Sequence, residues 1–243
     1  MGSFNMKTIL ISTIVRNRAD KLTRWYNQIK ELVLLDSENT YYLSVYENDS
    51  TDGSVDLLNS FDFSFLAGFK IQSENIGTEY FYQENLESDR RTRVENLALA
   101  RNKTLFGTKF LSQCSHVLSV EPDIVYDPRS IIDHIINSDF DIISPVSKQG
   151  NFFLYDGWAT RKNKDDSYWD YNILLYGILD VWSTFNCLCL YKADPFKFGL
   201  GFGFENPRTK NYDCDTTVIC ETFRMLGFSE IKLNCNVLVD HLK

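Results

Sequence analysis

Short apolar, β-branched runs that keep giving way to longer segments of helical spacing are the feature that most limits what this chain can fold into. Residues 7–15 (KTILISTIV) form a compact apolar run that reads as a buried strand. Over 20–35, Leu22, Trp25, Ile29, Leu32 and Val33 recur at helical spacing, and 41–46 returns to a strand pattern. The turn cluster NDSTDGS (48–54) leads to another helix start, with Asp52 or Ser54 placed to cap it, and 69–72 reads as the next strand. Residues 90–112 are again helical, with Val94, Leu97, Ala98 and Leu105 on the core face. A strand at 116–120, a helix at 128–137 and a strand at 140–144 follow. This alternation predicts an α/β fold: a central, mostly parallel sheet flanked by helices on both faces.

Beyond 145 the pattern loosens. Residues 151–176 are rich in aromatics with charges interleaved, 185–191 reads as a strand, and GLGFGF (199–204) is a pliable loop ahead of a helix at 215–226 and a closing strand near 236–239. No Pro/Gly/Ser-rich or charge-run linker interrupts the chain, so one domain is expected over 6–243, with 1–5 reading as a leader ahead of Met6. A hydrophobic content of 44% is enough for a sizeable core.

The net charge of -8 argues against nucleic acid or an anionic membrane as partner, since those are held by clustered Lys and Arg. An anionic substrate would require basic residues to gather locally. The six cysteines form no C-x-x-C pair and read as reduced thiols. No run approaches the roughly 18 apolar residues of a membrane span, and no secretory h-region opens the chain. A soluble protein of a reducing compartment, the cytoplasm, is expected.

In an open parallel sheet, ligands bind where the strands end at their carboxyl side. Those positions here are polar. Glu47 and Asn48 follow one strand, and Glu121 and Asp123 follow another, two apart in extended chain with Pro122 stiffening the turn. Two such carboxylates suit a hard cation, Mn²⁺ or Mg²⁺, able to bridge diphosphate oxygens. Arg101 shares the inward face of its helix with Ala98 and Leu105 and therefore needs an anionic partner, either a substrate phosphate or a buried carboxylate. Asp213 and Asp215 open the helix after the glycine-rich loop, with Asp215 on the same face as Ile219 and Phe223. They are candidate catalytic carboxylates, or N-terminal helix caps, with Glu205 in reserve. Tyr155, Asp156, Trp158 and Arg161 offer an aromatic platform and hydrogen-bonding groups for sugar hydroxyls, unless that surface is core.

The order of these motifs resembles the nucleotide-sugar glycosyltransferases of the GT-A fold. YENDSTDGS (46–54) is similar to their strand-end loop, LALARNKTL (97–105) to the helix before their metal motif, and HVLSVEPDI (116–124) to the strand carrying their acidic D-x-D. FFLYDGWATR (152–161) and the arrangement of VWSTFNCLCLY (181–191) before DCDTTVICETFRMLG resemble the fungal capsule-associated α-1,3-mannosyltransferases, glycosyltransferase family 69. The resemblance implies a single Rossmann-like GT-A domain, with 6–145 binding the nucleotide sugar and 146–243 the acceptor. It implies donor-binding roles for Arg16, Glu47, Asn48 and Arg101, and a metal held by Glu121, Asp123 and His241. At position 121 the family's usual aspartate is replaced by glutamate, one methylene longer. It further implies a donor such as GDP-mannose or a UDP-sugar, a glycan acceptor and retention of configuration. Family 69 enzymes work in the secretory pathway, which makes a truncated form of such an enzyme the alternative to a cytoplasmic one.

Two other readings compete. DCDTT (213–217) matches the D-x-D-x-T of haloacid-dehalogenase phosphohydrolases, but NPRTKNY precedes it where that motif needs an apolar strand. A catalytically inactive carbohydrate- or nucleotide-binding module is the other, because a fold does not guarantee turnover.

Overall fold

The computed structural model describes residues 6–78, 87–169 and 176–242. Strand β1 (Thr8–Val15) lies inside the sheet, and its alternation shows why: Ile9 and Ile11 enter one apolar layer and Leu10 the other, all fully buried. Helix α1 (Ala19–Leu35) lays Leu22, Trp25, Ile29 and Leu32 into the first layer and returns the chain to β2 (Thr40–Asn48), parallel to β1. After the short α2 (Ser54–Ser60), β3 (Gly68–Glu74) extends the parallel ladder outward. Helix α3 (Glu87–Phe106) covers the second layer through Ala98 and Leu105 and delivers β4 (His116–Val120), parallel to β1 on its other side.

The remaining strands are β5 (Ile124–Val125), β6 (Ile142–Gln149), β7 (Phe152–Phe153), β8 (Ile178–Asp180), β9 (Leu188–Lys192) and β10 (Ile231–His241). Helices α4 (Pro128–Ile131), α5 (Asp194–Lys197) and α6 (Asp215–Met225) complete the described elements, with a π-helical turn over Ile132–Ile136 after α4. The sheet runs β3-β2-β1-β4-β9-β6-β10-β5, with β7 on β6 and β8 on β10. Residue 145 falls within β6, so both halves of the chain share this one sheet.

One topological fact positions the site. β9 is antiparallel to both its neighbours, β4 and β6, so the two reversals cancel and β6, with β10 parallel to it, points the same way as β1 and β4. The carboxyl ends of β1, β4 and β10 therefore open on one edge of the sheet.

Several boundaries depart from the sequence pattern for identifiable reasons. The helix expected to reach 112 stops at Phe106; at Gly107 a Cβ would lie 2.3 Å from the Lys103 carbonyl oxygen, and a separate 3₁₀ turn, Phe110–Gln113, follows. β9 begins at Leu188 rather than 185 because Asn186 and Cys187 adopt φ of 53° and 62°, outside any strand. β10 starts at Ile231, well before 236, and an irregularity in its pairing with β6 between Asn234 and Leu238 disrupts the alternation by which a strand is recognised. All six cysteines are free, and no helix among the described residues is long and apolar enough to cross a membrane.

Candidate active site

A cavity of about 770 Å³ opens at this edge, walled by the ends of β1, β4 and β10, by α3 and by the first turn of α6. Arg101 organises its charge. The residue is only 4% exposed, its Nη2 donates to Glu121 Oε1 at 2.8 Å, and its Nε donates to Asp215 Oδ2 at 2.9 Å. The guanidinium also lies 4.3 Å from the centre of the Phe185 ring. Burial opposes the charge on Arg101, but Asp215 and Glu121 outweigh it and raise the pKa above the ordinary arginine value. Burial likewise raises the pKa of Asp215, with Arg101 pulling the other way. The triad joins α3, the end of β4 and the start of α6.

Asp123 is held separately. Its Oδ2 accepts from Arg18 Nε at 3.2 Å and faces His241 Nε2 at 3.7 Å, while its Oδ1 is buried with no hydrogen-bond partner. His241 arrives there because β5 and β10 pair with Ile124 opposite His241, and the Leu242 N–H donates to the Asp123 carbonyl at 2.8 Å. Tyr155 stacks on the His241 ring with centroids 4.0 Å apart, and the Gln149 amide lies 2.9 Å from Nδ1, leaving Nε2 as the nitrogen that faces Asp123. Burial, then Glu121, raises the Asp123 pKa; His241 and Arg18 oppose the shift.

An orphaned buried carboxylate oxygen beside an imidazole nitrogen fits a divalent cation. Among the described residues no three His, Cys, Asp or Glu side chains converge to form a complete cage. Mg²⁺-like ions do not need one, because one or two protein ligands are normally completed by water and substrate phosphate. Glu121, expected beside Asp123 on the metal, is instead turned onto Arg101, whose buried charge needs it.

The cavity also gathers cations in a chain that is acidic overall: Arg16, Arg18, Lys21 and Arg93 line it together with Arg101. Arg16 Nη1 donates to Thr78 Oγ1 at 2.8 Å, and Asn48 Nδ2, also in the wall, reaches the same oxygen at 2.8 Å. Glu47 does not line the cavity. It is buried behind, accepting from the Ser50 N–H at 2.8 Å and from the Ser73 hydroxyl, and so shapes the loop that Asn48 enters.

Tyr155, Asp156 and Trp158 also line the cavity, but Arg161 does not. Arg161 is buried in a forked pair with Asp213, one arm at 2.9 Å, and Asp213 also accepts from Asn206 Nδ2 at 2.9 Å. Asp213 is thus an anchor of the loop before α6, and only Asp215 of the two candidate carboxylates reaches the cavity. The D-x-D-x-T reading loses its geometry, since an irregular loop and not a core strand precedes Asp213. Sequence reasoning missed Arg18, Lys21 and Arg93; the RNR (16–18) directly after the first strand was the available signal. It also missed Asn186, whose backbone N–H donates to Asp156 Oδ2 at 3.2 Å. Burial, reinforced by nearby Glu121, lifts the Asp156 pKa to about 7.

This sheet edge carries a carboxylate–imidazole pair, a buried arginine and a cluster of cations on a fold of the GT-A class. The structural neighbours agree on the fold. S. aureus TarS (residues 1–349) superposes with a TM-score of 0.58 at 14% identity over 98% of this chain and 60% of that one, and has also been determined with UDP-GlcNAc. The mannosyltransferase PcManGT from Pyrobaculum calidifontis, determined with GDP-Man and Mn²⁺, gives 0.57 at 14% identity over 97% of this chain and 57% of that one. The chain therefore spans about 60% of the length of these neighbours. By sequence it belongs to the Cryptococcal mannosyltransferase 1 family, whose profile matches residues 8–214. No curated protein matches it.

Proposed function

We propose that this chain is a divalent-cation-dependent hexosyltransferase that moves mannose from GDP-mannose to a hydroxyl of a glycan acceptor with retention of configuration. The observation that carries the metal dependence is the buried, unpartnered Oδ1 of Asp123, on a carboxylate whose other oxygen faces His241 Nε2 at 3.7 Å. Asp123 and His241 would hold the cation, whose chemistry is to neutralise charge developing on the leaving diphosphate. Membership of a mannosyltransferase family supports the sugar, and the GDP-Man bound to the neighbour PcManGT supports the guanine base.

The chain's own residues divide the remaining work. Arg16, Arg18, Lys21 and Arg93 supply positive potential to the diphosphate end of the cavity, and Asn48 a polar contact for the nucleoside. Arg101, fixed between Glu121 and Asp215, adds a charge that needs no reorganisation during transfer. Tyr155 and Trp158 form the sugar-binding wall, which supports an acceptor met mainly by 146–243 and a donor held mainly by 6–145.

Thermal-shift binding of GDP and UDP, each with and without Mn²⁺, tests this reading on the wild type and on Asp123→Ala. A ligand at 100 times its Kd stabilises the native state by about 2.7 kcal/mol. The expected result is a Mn²⁺-dependent rise in Tm with GDP that Asp123→Ala abolishes while its own melt stays cooperative. A rise that persists in Asp123→Ala refutes the metal assignment, and a shift with UDP alone refutes the donor base.

A further inference from the structure

We propose that Asp156 is the proton acceptor for the incoming hydroxyl, an inference that rests on the transferase reading above. The carboxylates around the cavity are otherwise committed: Asp20 to Lys21 at 2.6 Å, Glu121 and Asp215 to Arg101, and Asp123 to Arg18. Asp156 is, among the described residues lining the cavity, the one carboxylate without a cation partner. A carboxylate locked to a guanidinium is a poor base because its charge is already stabilised. Asp156 keeps its basicity, and it stands between Tyr155 and Trp158, where the sugar-binding wall would bring the acceptor.

The fold invests in aiming this side chain. A backbone donor to it comes from Asn186, and Asn186 and Cys187 are consecutive non-glycine residues in the left-handed region. The Asn186 side chain secures that kink from within: the two N–H groups of Nδ2 are shared among Thr184 Oγ1 at 3.0 Å, Thr160 Oγ1 at 3.1 Å and Ser144 Oγ at 3.3 Å, and Oδ1 accepts from Ser147 Oγ at 2.9 Å. The Cys187 carbonyl then accepts the Glu121 N–H at 2.9 Å, so one kink registers both carboxyl groups.

The charged groups that face Asp156 set its basicity. Burial acts first, Glu121 at the end of β4 and Asp215 at the start of α6 add to it, and Arg101 from α3 opposes; the thiols of Cys187 and Cys214 are held neutral by their own burial. With a pKa of about 7 the group is matched to proton transfer near neutral pH. In the step, the acceptor O–H bond breaks and its proton passes to the Asp156 carboxylate. The acceptor oxygen forms its bond to the anomeric carbon on the same face from which the diphosphate departs, and the bond from that carbon to the diphosphate oxygen breaks with its electron pair leaving on the nucleoside diphosphate, so configuration is retained. Asp156 then returns the proton to solvent.

The test uses Asp156→Asn and Asp156→Glu with GDP-mannose, Mn²⁺ and methyl α-mannoside as acceptor. D156N is expected to keep the wild-type thermal shift with GDP and Mn²⁺ while kcat falls by about 10²–10⁴-fold. D156E is expected to recover part of that loss, as is D156N supplied with sodium formate. Transfer by D156N within a few-fold of wild type overturns the inference, and so does formation by D156N of a mannosyl azide of inverted configuration, which would make the residue a nucleophile; an azide product of retained configuration supports it, because azide needs no base. If D156N does not fold, the wild-type pH profile decides: an acid limb in kcat near pH 7 supports the assignment and a flat kcat from about pH 5.5 to 8.5 overturns it. A wild type that transfers from no nucleotide sugar removes the transferase reading and this inference together, whereas an active wild type with an equally active D156N removes the inference alone.

Discussion

Arg101→Met should be among the most destabilising single changes in the protein, and its cost should depend on pH in a defined direction. Arg101 Nε lies 2.9 Å from Asp215 and Nη2 lies 2.8 Å from Glu121, and the Arg101 and Asp215 side chains are only 5% and 4% exposed. Methionine fills much of the volume but strands a buried carboxylate, and breaking a buried pair from one side costs about 3–5 kcal/mol. Glu121, at 22% side-chain exposure, can recover solvation and adds little. For a chain of this size each kcal/mol moves Tm by about 2–4 °C, so Tm should drop by about 6–20 °C. Burial already raises Asp215, and losing Arg101 raises it further. An acid whose folded pKa lies above its unfolded value of about 3.9 binds its proton preferentially in the native state. That contribution is fully present below the unfolded pKa and is lost as pH rises through the folded one. The variant should therefore lie closer to the wild type at pH 5 than at pH 8 in paired urea melts. An equal gap at the two pH values, or a loss under about 1 kcal/mol at pH 8, would refute the uncompensated-charge reasoning.

Two further outcomes follow from charges lying off the cavity. Arg161→Met strands Asp213 in the same way and should cost about 3–5 kcal/mol, while donor binding at low temperature stays near wild type because neither residue lines the cavity; calorimetry and GDP titration separate the two effects. Burial works to raise the Asp49 pKa, yet hydrogen bonds from Thr78, Asn48 and the Gly77 backbone prevail and hold it well below the ordinary range. That stabilisation is present above the unfolded pKa and fades as pH falls through the folded one, so Asp49→Ala should be less stable than wild type at pH 7 and converge on it in acid, read by denaturation at pH 7 and pH 3.

How far the sequence carried the reading depended on whether each signal was local. β4 forms over 116–120 as expected because all five of its side chains are buried, leaving no alternative phase for the pattern. Arg101 was legible as an inward charge for a similar reason: helical spacing from Ala98 to Leu105 is enough to fix its direction. Helical spacing also directed Asp215 inward, but it left Asp213 beside it as a second candidate carboxylate, and what Asp213 does instead is set by an arginine 52 residues away. Placing Arg161 among sugar contacts went astray on the same point, because a pair joined only in three dimensions leaves no periodic trace.

The edge that carries the cavity depends on two features that no window of sequence displays. One is the double reversal through β9, which returns β6 and β10 to the direction of β4 and brings His241 to Asp123; its visible counterpart was family resemblance, not spacing. The other is the kink at Asn186 and Cys187. In sequence it looks like the start of a strand, yet four buried hydroxyl groups from Ser144, Ser147, Thr160 and Thr184 converge on the Asn186 side chain to hold a backbone those residues do not favour. A buried polar cluster of this size is costly unless every member is satisfied, and here its satisfaction fixes the N–H directed at Asp156 and the carbonyl that receives the N–H of Glu121. Local consistency therefore fails where the two cavity carboxyl groups are set in register, which is where a departure from it has something to accomplish.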